Sequence, residues 1–120
     1  MKTFLPLLGF FILLVAGVQA APLSELQKID LLIASVEHTP GAVFIRNGSE
    51  YNGAQAAEHL RMKWHKAGSH VRTANDFIVL CASKSSFSGL PYRIRLKNGE
   101  TMDSEVFFRV QLKRISLTPG

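Results

Sequence analysis

Residues 73–82 read Thr-Ala-Asn-Asp-Phe-Ile-Val-Leu-Cys-Ala, and this stretch decides the kind of fold that the chain can adopt. Thr73 and Asp76 have the spacing of a capping box, in which the two residues bind each other's backbone N–H groups at the start of a helix. The residues after Asp76 are apolar on nearly every side of a helix, a pattern typical of the buried centre of a small fold. We therefore predict a central helix that runs to about Lys84, with Cys81 as an inert buried thiol.

Two amphipathic helices are predicted before this central helix. In residues 23–36 the apolar side chains recur every three or four positions, and Ser24 with Gln27 forms a second capping box. Thr39-Pro40-Gly41 then breaks the pattern. A further helix is expected from a cap at Asn52 to Gly68, with an apolar stripe on one side.

Two short runs have the composition of β-strands. Residues 42–46 contain a short β-branched and aromatic run, Ala42 to Ile45, and lead into an Asn47-Gly48 turn. Residues 92–96 alternate apolar side chains with arginines before Asn98-Gly99. A serine-rich loop over residues 83–91 precedes the second run. These elements predict an α+β fold, predominantly helical, in which the two runs contribute to a small sheet of two or three strands within a single domain.

The segment after Ser104 has two interpretations. Alternate residues from Val106 to Leu112 are apolar, as in a strand, whereas Ser104 as a cap and apolar residues at 107, 108, 112 and 115 fit a helix. These residues alone leave both open.

Composition excludes several classes of protein. The chain has 120 residues, a formal net charge of +5 and one cysteine. That length suits one domain, and one cysteine cannot close an internal disulfide. The charges are scattered along the chain, and no tract of Gly, Pro, Gln or Ser indicates a disordered segment. A polytopic membrane protein is excluded because only one long apolar run is present.

That apolar run lies at the N-terminus and predicts a secretory signal peptide. Lys2 precedes apolar residues 4–18, and Val18-Gln19-Ala20 places small residues three and one positions before a cut. The alternative, an uncleaved anchor, is less favoured because the run is short for a span of about 20 residues. We expect residues 1–20 to be removed after Ala20, which leaves residues 21–120 with a net charge of +4 in the periplasm or outside the cell, without a stable membrane span.

Residue types and spacings argue against most kinds of chemistry. The histidines lack the spacing of a metal site, and no Ser motif with a paired base is present, so we predict no metal, no cofactor and no catalytic residue. On the second helix His59, Lys63 and Lys66 project to one flank of the apolar stripe, which gives a positive ridge beside a groove. A solvated helix face is favoured over an anion site as the interpretation of this ridge. Nucleic acid is not an expected partner, because the charge excess is small and no aromatic platform accompanies it.

Four segments occur in an order that resembles a known family. They are residues 44–48, 59–63, 73–78 and 82–92, and together they resemble the YfeK-like family of small exported bacterial proteins of unknown function. The resemblance covers roughly residues 25 to 115. It implies a periplasmic or secreted protein with a compact domain and a helical tail, and no known catalytic residue, cofactor or partner. His65, His70 and Cys81 do not correspond to a family motif.

The leading functional hypothesis is a non-enzymatic binding or structural module of the bacterial cell envelope. Its partner would be an envelope protein or an anionic glycan. The residues assigned to the binding surface are Arg46, Asn47, His59, Arg61, Lys63, Ser88, Gly89 and Tyr92. The alternative is a small envelope hydrolase in which His59 acts as a base towards a serine of the 83–88 loop. A third hypothesis is that these residues only hold the fold together.

Overall fold

The computed structural model describes residues 21–117, so the predicted signal peptide lies outside the described residues. Four helices and four strands follow one another in this part of the chain. Their order is α1 (Glu25–Glu37), β1 (Val43–Arg46), β2 (Ser49–Tyr51), α2 (Gly53–Ala67), α3 (Ala74–Cys81), β3 (Arg93–Arg95), β4 (Thr101–Asp103) and α4 (Ser104–Leu117). The α+β class is therefore confirmed.

Capping side chains fix the starts of the first three helices. In each case the side chain of the cap residue accepts a hydrogen bond from the backbone N–H of the residue three positions later. The side chain of that later residue accepts a hydrogen bond from the backbone N–H of the cap residue. All three predicted helix starts are therefore confirmed. The pairs are Ser24 with Gln27, Asn52 with Gln55, and Thr73 with Asp76. Such a cap stabilises a helix by about 1 kcal/mol.

The central helix α3 is shorter and less enclosed than predicted. It ends at Cys81 rather than near Lys84, since the Ser83 hydroxyl donates a 2.6 Å hydrogen bond to the Ile78 carbonyl and the chain turns away. Phe77, Ile78 and Cys81 are buried, but Leu80 is 48% exposed. The apolar run therefore does not face the core all round.

The antiparallel sheet has the strand order β2-β1-β3-β4. The central strands β1 and β3 lie within the predicted runs 42–46 and 92–96. The prediction of two or three strands missed one strand, because the edge strands β2 and β4 are short and lie outside the two runs that the sequence marks. Asn47 and Gly48 both have positive φ, at 51° and 79°, as the tight turn between β1 and β2 requires.

The last segment is the helix α4, so the tail that the family resemblance implied is confirmed. Phe107 and Phe108 are buried and pack edge-on against Phe44 and Phe77, with ring centroids 6.4 Å apart in both pairs. Ser104 is buried, and its hydroxyl donates a 2.6 Å hydrogen bond to the Ala82 carbonyl across the fold. Within residues 21–117 no helix is long and apolar enough to cross a membrane.

Candidate functional site

A cleft of about 210 Å³ opens between helix α2, the sheet and the start of α4. Its apolar walls are formed by Phe44, Ala56, Leu60, Met62 and Phe108. Phe44, Leu60 and Phe108 also belong to the hydrophobic core, so the floor of the cleft is as rigid as the fold itself.

Arg46 supplies a positive charge to this cleft. Its Nη2 donates to the Tyr51 hydroxyl at 3.2 Å, and its guanidinium carbon lies 5.2 Å from the centroid of the Tyr51 ring. Its Nη1 is 3.4 Å from both ring nitrogens of His59, so it lies on neither lone-pair axis and makes a packing contact rather than a directed hydrogen bond. The guanidinium is therefore held between two rings. None of the ion pairs among residues 21–117 includes Arg46.

Lys63, Tyr92 and His59 form a hydrogen-bonded chain behind Arg46. Lys63 Nζ donates to the Tyr92 hydroxyl and to the Lys84 carbonyl, both at 3.0 Å. The Tyr92 hydroxyl is in turn 3.1 Å from His59 Nε2. Because an ammonium group can only donate, the phenol oxygen accepts from Lys63. Its hydrogen can then donate to Nε2 when the ring proton is on Nδ1, or its second lone pair can accept Nε2–H when the proton is on Nε2. Both tautomers of the neutral His59 ring are compatible with this bond.

The electrostatics of His59 agree with this neutral form. Burial lowers the pKa of the imidazole, and the positive charges of Arg46, Lys63 and Lys66 lower it further. A nearby cation and loss of water both disfavour the charged ring. His59 is therefore neutral at physiological pH, while the positive charges around it stay in place.

Tyr51 belongs to this cluster and was not predicted from the sequence. The hydrogen bond from Arg46 lowers the pKa of its phenol. A signal was present: the two-residue Asn47-Gly48 turn pairs Arg46 with Ser49 and Phe44 with Tyr51. Because side chains alternate between the faces of a strand, this register places Arg46 and Tyr51 on the same face of the sheet.

The structure separates the eight predicted binding residues into three groups. Arg46, His59 and Tyr92 line the cleft, and Lys63 joins them from behind through its hydrogen bond to Tyr92. Arg61 points elsewhere and forms an ion pair with Glu37 of α1. The third group, which consists of Asn47, Ser88 and Gly89, belongs to the contact between the β1–β2 turn and the serine-rich loop.

That contact is a local network that holds the loop against the turn. The Asn47 amide donates to the Ser85 hydroxyl at 3.2 Å, and the Ser88 hydroxyl donates to the Asn47 side-chain oxygen. The Ser85 hydroxyl also accepts the backbone N–H of Phe87 and of Ser88. The hydroxyls of Ser85 and Ser88 therefore hold the loop in place against the β1–β2 turn.

The hydrolase alternative requires a bond between His59 and a loop serine. The hydrogen bond of His59 runs to Tyr92, and within the described part of the chain none joins it to a serine of the 83–88 loop. Cys81 is buried, as predicted, and burial raises the pKa of its thiol. Among residues 21–117 no group of three or more His, Cys, Asp or Glu side chains could hold a metal ion.

The fold and cleft define a small α+β domain, and comparison with known proteins places it in a family. Residues 23–116 match the model of a family of unknown function, DUF5329, so the chain belongs to that family.

The chain is also similar to the uncharacterized protein YfeK of Salmonella typhimurium strain LT2, which confirms the YfeK-like resemblance. The two are 34% identical over 68 residues, which is 57% of this chain and 57% of that protein. The match thus spans a little over half of the relative's length. No solved structure matches the chain significantly.

Proposed function

We propose that this protein is an exported, non-enzymatic binding module of the bacterial cell envelope, and that its cleft binds an anionic group of a partner protein or glycan. The observation that carries the proposal is the charge of Arg46. Its guanidinium is held between the rings of Tyr51 and His59 at the cleft wall, outside every ion pair of residues 21–117. A fixed guanidinium with spare N–H donors is suited to a carboxylate or a similar oxyanion.

The other arginines that contact acidic groups support this assignment by contrast. Arg61 binds Glu37, Arg93 binds Asp103, Arg95 binds Glu50 and Arg109 binds Glu105. Those positive charges are already neutralised inside the protein. Arg46 instead faces two aromatic rings, and Lys63 behind it adds a second positive charge that binds neutral oxygen atoms.

The test is a titration of the ¹⁵N-labelled full chain, purified as the cell processes it, with hexanoate, polygalacturonate and the neutral hexanamide. We expect an anion to shift the amide signals of residues that line the cleft and hexanamide to shift them far less. Arg46→Gln should weaken anion binding about tenfold or more, because a hydrogen bond to a charged group contributes roughly 1.5–3 kcal/mol.

Arg72→Gln is the matched control. Arg72 is exposed and belongs to none of the ion pairs of residues 21–117, so its removal changes the net charge equally without touching the cleft. Equal weakening by both variants would mean that net charge alone attracts the anion, and the proposed site would be wrong. The mass of the purified protein tests export separately, since cleavage after Ala20 leaves Ala21 as the first residue.

A further inference from the structure

The size and walls of the cleft limit what can enter it. A volume of about 210 Å³ is below the roughly 300–1,000 Å³ of pockets that take drug-sized molecules. The inner wall is formed by the side chains of Leu60 and Phe108. An occupant that fits is therefore small and has an apolar part.

The charges around the cleft fit a single negative charge. Arg46 lines the cleft outside the ion pairs described above, whereas Arg93 lines it already paired with Asp103. Glu58 also lines the cleft and repels additional negative charge. Lys63 is not among the residues that line the cleft, and its Nζ is bound to the Tyr92 hydroxyl and the Lys84 carbonyl behind it. At the lining itself one negative charge is therefore matched by Arg46, whereas further negative charges would lie near the Glu58 carboxylate.

His59 lies where such a negative charge would act on it. Arg46 of β1 contacts its ring, Tyr92 ahead of β3 binds Nε2, and Lys63 and Lys66 of α2 add positive charge, with Glu58 as the preceding residue on the same helix. In the free protein these cations oppose a proton on the ring. An anion beside Arg46 offsets them and favours the imidazolium form.

We propose, building on the function proposed above, that the cleft binds a small amphiphilic monoanion between Arg46 and His59, and that His59 takes up a proton as this ligand binds. The apolar part of the ligand packs against Leu60 and Phe108. The Tyr92 oxygen has a second lone pair, which can accept Nε2–H of the imidazolium ring. Because the two binding events favour each other, the ligand binds more tightly as the pH falls.

The experiment uses benzenesulfonate, which has an apolar ring and keeps one negative charge between pH 5.5 and 7.5. Calorimetry on the protein as purified from the cell, in two buffers of different ionisation enthalpy, measures both the affinity for the ligand and the number of protons taken up. We expect affinity to rise about fivefold or more from pH 7.5 to 5.5, within the usual range of coupling between two sites. Proton uptake should average about 0.35 per ligand for a fivefold rise over these two pH units, and more for a larger rise, because the slope of log affinity against pH equals the number of protons taken up. Benzenesulfonamide, the neutral analogue, should bind far more weakly.

Two variants assign the proton to His59. His59→Gln should remove the pH dependence, whereas His65→Gln, a substitution of an exposed histidine on the same helix, should leave it unchanged. A second measurement avoids relying on a variant's folding: in the unsubstituted protein, saturating benzenesulfonate should raise the midpoint of the His59 ring titration followed by NMR.

The outcomes separate this inference from the proposed function. Binding of benzenesulfonate with equal affinity at both pH values, or pH dependence that persists in His59→Gln, overturns proton uptake and leaves the anion site intact. Equal binding of benzenesulfonamide overturns the role of the charge. Failure of benzenesulfonate, hexanoate and polygalacturonate to bind at either pH overturns both proposals.

Discussion

Replacing Ser104 with alanine removes a single buried hydrogen bond that joins the start of α4 to the end of α3. Ser104 is 3% exposed, and its hydroxyl lies 2.6 Å from the carbonyl oxygen of the fully buried Ala82. Loss of this donor leaves the buried Ala82 carbonyl oxygen without its hydrogen-bond partner, which lowers the free energy of unfolding by about 1–3 kcal/mol. Ser104 is the first residue of α4, so the higher helix propensity of alanine in helix interiors does not offset this cost. We therefore expect the free energy of unfolding to fall by roughly 1–3 kcal/mol.

Urea unfolding followed by circular dichroism measures this change, and Ser116→Ala provides the control. Ser116 is exposed on the same helix, so its replacement changes helix propensity alone and should leave stability equal or slightly higher. The two substitutions have the same chemistry and opposite expected signs. A midpoint for Ser104→Ala that equals or exceeds that of Ser116→Ala, at unchanged m, would refute the assigned hydrogen bond.

Three further predictions concern packing, protonation and reactivity. Gly53→Ala should destabilise the protein by about 1–3 kcal/mol in thermal or urea unfolding, despite the better helix propensity of alanine, because the added Cβ would lie 2.6 Å from the Val36 carbonyl oxygen of α1. Burial and nearby cations lower the pKa of His59 in the folded protein. As the pH falls, the unfolded chain therefore takes up a proton on this residue before the folded protein does. The stability that depends on neutral His59 is present above about pH 6.5 and is lost as the pH falls below that value. Urea midpoints between pH 7.5 and 5 should consequently fall less for His59→Gln than for the unsubstituted protein. Cys81 should react with a thiol reagent only under unfolding conditions, since its side chain is buried and burial raises its pKa; rapid labelling of the native protein would contradict this.

The helices could be predicted because their signals are local. A cap and its partner lie three residues apart, and an apolar stripe repeats every turn, so Ser24 and Thr73 mark helix starts within a few residues of sequence. The end of α3 could not be predicted in this way. It depends on a hydrogen bond from the Ser83 hydroxyl to Ile78, and serine and lysine at 83 and 84 are compatible with a longer helix.

The edge strands β2 and β4 were not predicted because no alternating run surrounds their three residues, whereas the equally short β3 lies within an alternating run over residues 92–96. Their conformation is set by pairing with β1 and β3, which is a property of the assembled sheet. The position of Tyr51 is different, since the register of a two-residue Asn-Gly hairpin follows from the sequence. The Asn47-Gly48 turn alone is therefore sufficient to assign Tyr51 to the face of Arg46.

The candidate site was predictable in residue type and not in arrangement. Arg46 and Arg61 are both arginines in segments that resemble the family, yet one lies at the cleft and the other pairs with Glu37, 24 residues away in sequence. Nothing within a few residues of Arg61 indicates that pairing. Whether an arginine is neutralised inside the protein depends on tertiary contacts, and this property separates a binding candidate from a structural one.

The position of Tyr92 explains how this small domain can keep a charged cluster beside its core. Two backbone hydrogen bonds fix Tyr92, from its N–H to the Ser83 carbonyl at 3.0 Å and from the Ser104 N–H to its carbonyl at 2.8 Å. The junction of α3, β3 and α4 therefore positions the phenol hydroxyl, which forms hydrogen bonds with Lys63 and His59. Because the backbone positions the residue and the hydroxyl orders the cluster, substitutions at the hydroxyl act mainly on the site, whereas substitutions at the junction act on the fold.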